Sequence, residues 1–379
     1  TRAPTLPLLF PERLPRFSAR FSTAPARADD ERTPMAPTDA SGQAPAPGAP
    51  RASGEAGSPV VVGLDLGGTK MAAALVGADG ALLGPIASIP TPAHDGPGAM
   101  LDAIASLVME AARAGAASAG EGPGGPVAIS AVGIGTAGVV DVERGEIVSA
   151  TDAITAWAGT RVAEGVQARL EAGGLGRLPI HVENDVDAYA AGEAWLGAGR
   201  GTRCALMVAV GTGVGGSVLL DGAPLRGAHH VAGEIGHMPS GLAAAETCTC
   251  GRRGHLEPIA AGPQIHRRYL AAGGDPSAAN AYDVEQRAQA GDELAARVYR
   301  EAAVALAQAI AGVATVLDPE RVIISGGLAR AGELWWGPLR ETFASEIIEP
   351  LAGIGIVPAE LGTTAPIIGA ARGALALLD

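Results

Sequence analysis

One layout occurs twice in this chain. Residues 60–66 form an apolar run, Gly67-Gly68-Thr69 interrupts it, and residues 71–76 form a second apolar run. Residues 204–210, the turn Gly211-Thr212-Gly213 and residues 214–220 repeat the pattern. Short apolar runs separated by glycines read as β-hairpins of buried strands. Each hairpin opens a segment in which helix-length stretches alternate with further apolar runs. The expectation is an α/β chain of two related domains facing each other.

The rest of the pattern fills in around the two hairpins. Strands are expected near 81–89, 127–135, 179–182 and 321–325. Helices are expected over 97–115, 161–170, 186–196, 292–317 and 366–378, with a loop-rich stretch at 225–262. Residues 59–180 with 362–379 are expected to form a smaller domain, and residues 181–361 a larger one. Residues 1–58 are dense in Pro, Ala, Ser and Arg and lack periodicity, which reads as a disordered extension. The stretch 2–27 has five Arg and one acid, like a transit peptide, but Met35 further on also fits an over-long reading frame.

Composition excludes several classes of function. The chain has 379 residues, 47% hydrophobic and 18% charged, enough apolar material for a large core. Its net charge is -13 with no block of Lys and Arg in the folded part, so neither nucleic acid nor an anionic membrane is an expected partner. No run of 18 uncharged apolar residues occurs, so no membrane span is expected. Only Cys204, Cys248 and Cys250 are present, which argues against a disulfide framework and for a reducing, cytoplasmic setting.

The chemistry concentrates in a few motifs. In Asp65-Leu66-Gly67-Gly68-Thr69-Lys70 the glycines let backbone N–H groups approach a phosphate, Thr69 and Lys70 add a hydroxyl and a positive charge, and Asp65 can hold Mg²⁺. Taken alone, the motif is also an ordinary hairpin turn. The second turn, Gly211 to Gly216 with four glycines in six residues, is its equivalent, and the pair can grip a polyphosphate from two sides. Glu183-Asn184-Asp185 sits at a strand-to-helix junction, where Asp185 can accept the proton of an attacking hydroxyl and Asn184 can bind its neighbour. Helix capping suits the same position. His237, Cys248, Cys250 and His255 offer four N and S donors in one loop and fit a closed tetrahedral Zn²⁺ site. Glu234 and Glu257 flank that loop, as sugar ligands or as solvated charges. Gly326 and Gly327 end a buried strand where a nucleotide can be contacted. The ATP-binding turns are expected to lie apart from the metal loop.

In this order and combination the motifs resemble the ROK family of sugar kinases and related repressors, from Val60 to the C-terminus. The resemblance implies the actin-like (ribonuclease H-like) two-domain fold with ATP and sugar in the cleft. It implies Asp185 as general base, Asn184, Glu234, His237 and Glu257 at the sugar, and His237, Cys248 and Cys250 at zinc. Mg²⁺ and ATP follow from the same resemblance, as does a homo-oligomer, dimer or tetramer. Two departures stand out. His255 replaces a third Cys of the zinc loop, and Asp152 stands near Trp157 where the family often has an Asn at the sugar.

The expected activity is therefore glucokinase-like, ATP-dependent phosphorylation of a hexose or aminohexose, at its 6-OH. A sugar-responsive transcriptional regulator and a non-catalytic sugar-binding protein are the alternatives. The regulators carry an N-terminal helix-turn-helix, and residues 1–58 show no amphipathic helix pair.

Overall fold

The computed structural model describes residues 58–118 and 128–379. The expected disordered extension, apart from Ser58, lies outside the described residues. The elements run in the order β1 (Val60–Leu66), β2 (Lys70–Gly77), β3 (Ala87–Pro90), α1 (Gly96–Ser118), β4 (Ala131–Thr136), β5 (Val139–Asp141), β6 (Glu146–Ser149), α2 (Val162–Ala172), β7 (Ile180–Asn184) and α3 (Asp185–Leu196). They continue with β8 (Cys204–Val210), β9 (Val214–Leu220), β10 (Ala223–Pro224), α4 (Glu257–Ala260), α5 (Gly262–Ala271), α6 (Ala281–Gln289), α7 (Glu293–Leu317), β11 (Arg321–Ser325), α8 (Glu333–Glu346), β12 (Gly355–Pro358) and α9 (Ala365–Leu375).

The repeated layout is a repeated sheet. One five-stranded sheet has the order β3-β2-β1-β4-β7, and the other β10-β9-β8-β11-β12. In each, the hairpin strands pair antiparallel, and the first hairpin strand pairs parallel with the next strand outward. Strands buried on both faces carry the continuous apolar runs seen in the sequence. The runs at 60–66 and 204–210 are the central strands of the two sheets.

Each sheet has its own core. Leu64, Leu66, Ile134 and Trp157 pack with α1 and α2 on one side. Val208, Ile324, Tyr269, Tyr299 and Trp335 pack with α5 to α8 on the other. Helix α9 covers the opposite face of the first sheet against α3. That seating needs missing side chains: a Cβ on Gly133 would overlap the carbonyl of Ala370, and one on Gly369 the carbonyl of Ala188.

Several expectations shift. Helices α5, α6 and α8, and strands β5, β6 and β12, are not among the elements expected from the sequence. The strand expected over 81–89 narrows to β3. Helix α7 is, among the described residues, the one helix long and apolar enough to cross a membrane. Half of its most apolar window is buried, and it packs against α6 and α8 as a core helix. The domain boundary expected at 180/181 falls inside β7, which pairs with β4 along its length. We propose the division after α3 instead, because that helix packs chiefly on α9.

Two chain segments pass between the sheets, one after α3 and one between β12 and α9. Both are held by Glu193, which is fully buried on α3. Its carboxylate accepts the amides of Ala198 at 2.8 Å, Glu360 at 3.1 Å and Leu361 at 2.8 Å.

Candidate active site and metal centre

The site is built where β1, β7 and α3 of the first sheet meet β9 and the loop that follows β10. The chain turns from β7 into α3 at Asn184, whose Oδ1 accepts the amides of Val186 at 2.8 Å and Asp187 at 3.2 Å. Its Nδ2 donates to Gly138 O at 3.0 Å. Asn184 is therefore the helix cap, with one amide hydrogen left for a ligand. Capping places Asp185 in the first turn of α3, its Oδ1 accepting Val186 N at 2.9 Å.

Four carboxylates share this region. Burial pushes the Asp65 carboxyl up to about 7, the charge of Asp185 adds to the rise, and Lys70 opposes it. Burial also raises Asp185, against the hydrogen bonds from the Val186 amide, its own amide and Asn184. Glu234 is raised by burial, with Asp185 and Glu257 adding and His237 opposing. Carboxylates held close in a low-dielectric site attract a proton or a metal ion, which is how general bases are tuned toward neutral pH.

The glycine turns end equivalent strands of the two sheets. Thr91 braces the first, its Oγ1 donating to Gly67 O at 2.6 Å and its amide to Thr69 O at 3.1 Å. Gly68, Thr69 and Lys70 are exposed, free for a ligand. In the second turn Gly211 N donates to Gly213 O at 2.9 Å, and Gly262 N at the start of α5 donates to Gly211 O at 2.9 Å. Gly326 and Gly327 lie alongside, because β11 pairs with β8. Gly326 has φ +87°, and a Cβ there would overlap the Val210 carbonyl.

His237, Cys248, Cys250 and His255 place four donor atoms within 4.8 Å of one another. The two Nδ1 atoms are 3.3 Å apart, Cys248 Sγ is 3.6 Å from His237 Nδ1, and Cys250 Sγ is 3.3 Å from His255 Nδ1. Tetrahedral zinc, with Zn–N near 2.05 Å and Zn–S near 2.3 Å, sets donors about 3.3 Å (N to N) and about 3.6 Å (N to S) apart. The donor set and its spacing fit that ion. The other nitrogen of His237, Nε2, is 3.7 Å from Glu234 Oε2.

The loop of the His/Cys cluster and the second glycine turn are not apart, contrary to the sequence expectation. Glu257 joins them: its Oε2 accepts Val214 N at 3.1 Å and its Oε1 accepts Thr249 Oγ1 at 2.9 Å. A Cβ on Gly213 would lie 2.7 Å from that Oε2. Asp152 is brought to none of these groups. It is exposed in the segment after β6, and no hydrogen bond or ion pair joins it to the others. Trp157 of that segment is buried and donates to Thr136 Oγ1 at 3.2 Å. Cys204, on β8, is half-buried and lies outside the cluster.

The ROK family model matches residues 61–376, which includes every one of these motifs. The chain belongs to the ROK family. Among its relatives, this ROK chain is 33% identical over 328 residues to a glucokinase of Thermotoga maritima, covering 82% of this chain and 96% of that one. Of solved structures, it is similar to a ROK hexokinase from Thermus thermophilus, with TM-score 0.71 and 32% identity over 84% of this chain and 99% of that chain. A ROK family glucokinase from Streptomyces griseus, solved in complex with glucose and AMPPNP, gives TM-score 0.66 and 30% identity over 84% and 99%. The duplicated sheet of this ROK protein is the α/β, actin-like fold.

Neither Arg226 nor Asp187 stands out in the sequence, and Glu183 carries no evident role there. Arg226 Nη2 donates to Glu183 Oε2 at 2.6 Å and Nη1 to Asp187 Oδ2 at 2.5 Å. Ser217 Oγ donates to Asp187 Oδ1 at 2.7 Å. Burial pushes Glu183 up, but His181 and Arg226 bring it below its usual range. Burial holds Asp187 at about 6, with Arg226 opposing. The one hint in the sequence was two acids bracketing Asn184-Asp185; nothing local to Arg226 marks it.

Proposed function

We propose that this chain transfers the γ-phosphoryl group of Mg-ATP to the 6-hydroxyl of a hexose or aminohexose, with Asp185 as general base. It is an ATP-dependent sugar kinase. The observation that carries the finer reading is the placement of Asp185. It sits at a capped helix start, its carboxyl raised by burial, within electrostatic reach of Asp65 and Glu234. A base so tuned contributes ~10² to 10⁴-fold. Positioning and charge neutralisation supply most of the rest in phosphoryl transfer.

The other residues divide by location. Gly67, Gly68, Thr69, Lys70, Gly211, Thr212, Gly213, Gly326 and Gly327 offer backbone and side-chain donors to the nucleotide, and Asp65 offers oxygen to its Mg²⁺. Asn184, Glu234, His237 and Glu257 hold the sugar, and Asp152 is a further candidate. Zinc, held by His237, Cys248, Cys250 and His255, supplies a structural clamp on the loop between Glu234 and Glu257. His237 serves both, Nδ1 toward the donor cluster and Nε2 toward Glu234. The acidic net charge and the absence of a disulfide framework support a cytoplasmic protein without nucleic-acid or membrane partners. A dimer or tetramer belongs to the same reading.

The test is phosphorylation assayed across glucose, mannose, N-acetylglucosamine, N-acetylmannosamine and an amino-glucose, with wild type and Asp185→Asn side by side. Asp185→Asn keeps the shape and loses the base. Turnover is expected to fall at least ~10²-fold while calorimetry shows sugar and ATP still bound. A variant keeping more than about a tenth of the rate removes Asp185 from the role.

A further inference from the structure

Arg226 occupies an unusual place for a charged residue. It follows β10 of the second sheet, yet its guanidinium reaches across to Glu183 at the end of β7 and Asp187 on α3, both on the side of the first sheet. These two acids stand immediately before and two residues after Asn184-Asp185. Glu183 is 1% exposed, and the Asp187 side chain 12%. Ser217 on β9 adds a third arm by donating to Asp187. Arg226 also begins the loop that carries Glu234 and His237, where the Ala232 amide donates back to Arg226 O at 3.3 Å.

One side chain thus ties the turn that presents Asp185 to the root of the loop that presents Glu234. We propose that Arg226 is a positioning residue of the phosphoryl transfer, clamping the Asp185 turn of α3 to the Glu234 loop across the two sheets. The proposal rests on the reading of Asp185 as the base. A planar guanidinium suits the task because its fork meets two carboxylates at fixed angles, which a lysine ammonium cannot do. Misplacing a base by about 1 Å is enough to cost on the order of 10²-fold in rate.

Arg226→Lys keeps the counter-charge for the buried acids but loses the fork. Its kcat is expected to fall about tenfold or more, while the KM for ATP stays within about twofold. Glu183→Gln, nearly isosteric, weakens one arm by removing its charge and should lower kcat less, in the same direction. The decisive readout is a double-mutant cycle by single-turnover assay with enzyme in excess. In an Asp185→Asn background Arg226→Lys should change the residual rate less than about twofold, because the group it positions is already lost. A merely structural arginine would lower both backgrounds alike. Wild-type kcat in Arg226→Lys, or an undiminished drop in the Asp185→Asn background, overturns the clamp. An Asp185→Asn enzyme that keeps its rate removes the base reading and this proposal with it. Wild-type kcat in Arg226→Lys with an inactive Asp185→Asn removes the clamp alone.

Discussion

Glu257 Oε2 accepts the Val214 amide at 3.1 Å, so one carboxylate joins the loop of the four metal donors to the glycine turn of the second sheet. Its other oxygen takes Thr249 Oγ1, between Cys248 and Cys250. On the proposed assignment this carboxylate links the sugar side of the site to its nucleotide side.

The first consequence concerns that residue. Glu257→Ala should raise the KM for ATP at least ~5-fold as well as that for sugar, since Val214 N loses its acceptor and the turn its brace. In Glu257→Gln the amide can still accept from Val214 and donate to Thr249, so ATP KM should stay near native. Steady-state titration of both substrates decides. An ATP KM unchanged in Glu257→Ala would show that the turn holds its shape unaided.

The metal loop makes a second prediction. Chelation, or Cys250→Ser, should raise the sugar KM strongly, because a neutral hydroxyl is a far poorer zinc ligand than a thiolate. ATP KM should follow in part, through Glu257. His255→Cys should retain the metal with near-native sugar affinity, since three Cys and one His also make a closed site. Elemental analysis reads the outcome. Active wild-type protein without zinc, or full metal content in His255→Ala, would sink the four-donor assignment.

Glu193 sets up a test of stability. Glu193→Ala leaves the amides of Ala198, Glu360 and Leu361 without their acceptor, in both segments that pass between the sheets. The expected loss is about 3–5 kcal/mol in urea unfolding, the range for breaking a buried charged network. Glu193→Gln should also destabilise, because its NH₂ group faces N–H donors. A loss under about 1 kcal/mol would mean that water replaces the carboxylate there.

Asp65 carries a pH signature. Its carboxyl titrates at about 7 in the folded chain against 3.8 ordinarily. Below both values it is protonated in either state and contributes nothing. Between them the folded state keeps a proton that the unfolded chain has released, so stability falls as pH rises, and the full cost is present above about 7. Asp65→Asn should therefore raise Tm at pH 8, by a gain of at least ~1 kcal/mol, and leave Tm unchanged at pH 3. The same variant should lose most kinase activity. Equal Tm shifts at both pH values would show that ionisation is not the cause.

Local chemistry is what the sequence determined by itself. Strands such as Val60–Leu66 and Cys204–Val210 are apolar on both faces, and glycines follow them, so their existence, their repetition and the position of Asp185 beyond β7 can be read from neighbours in the chain. The His/Cys cluster was legible for the same reason: its four side chains lie within nineteen residues, from His237 to His255, on one loop. Tertiary structure decided everything that depends on distance through space rather than along the chain. Arg226 reaches acids 39 and 43 residues away, Glu193 holds amides 167 and 168 residues on, and Glu257 braces an amide 43 residues back. None of these partners leaves a periodic or short-range trace, because a side-chain hydrogen bond constrains only two groups and the folded sheets bring them together. Asp152 is the converse case. Its spacing from Trp157 points to the sugar, while in the fold Trp157 is buried against Thr136 and Asp152 is exposed, so the role rests on the sequence pattern and not on a partner in space.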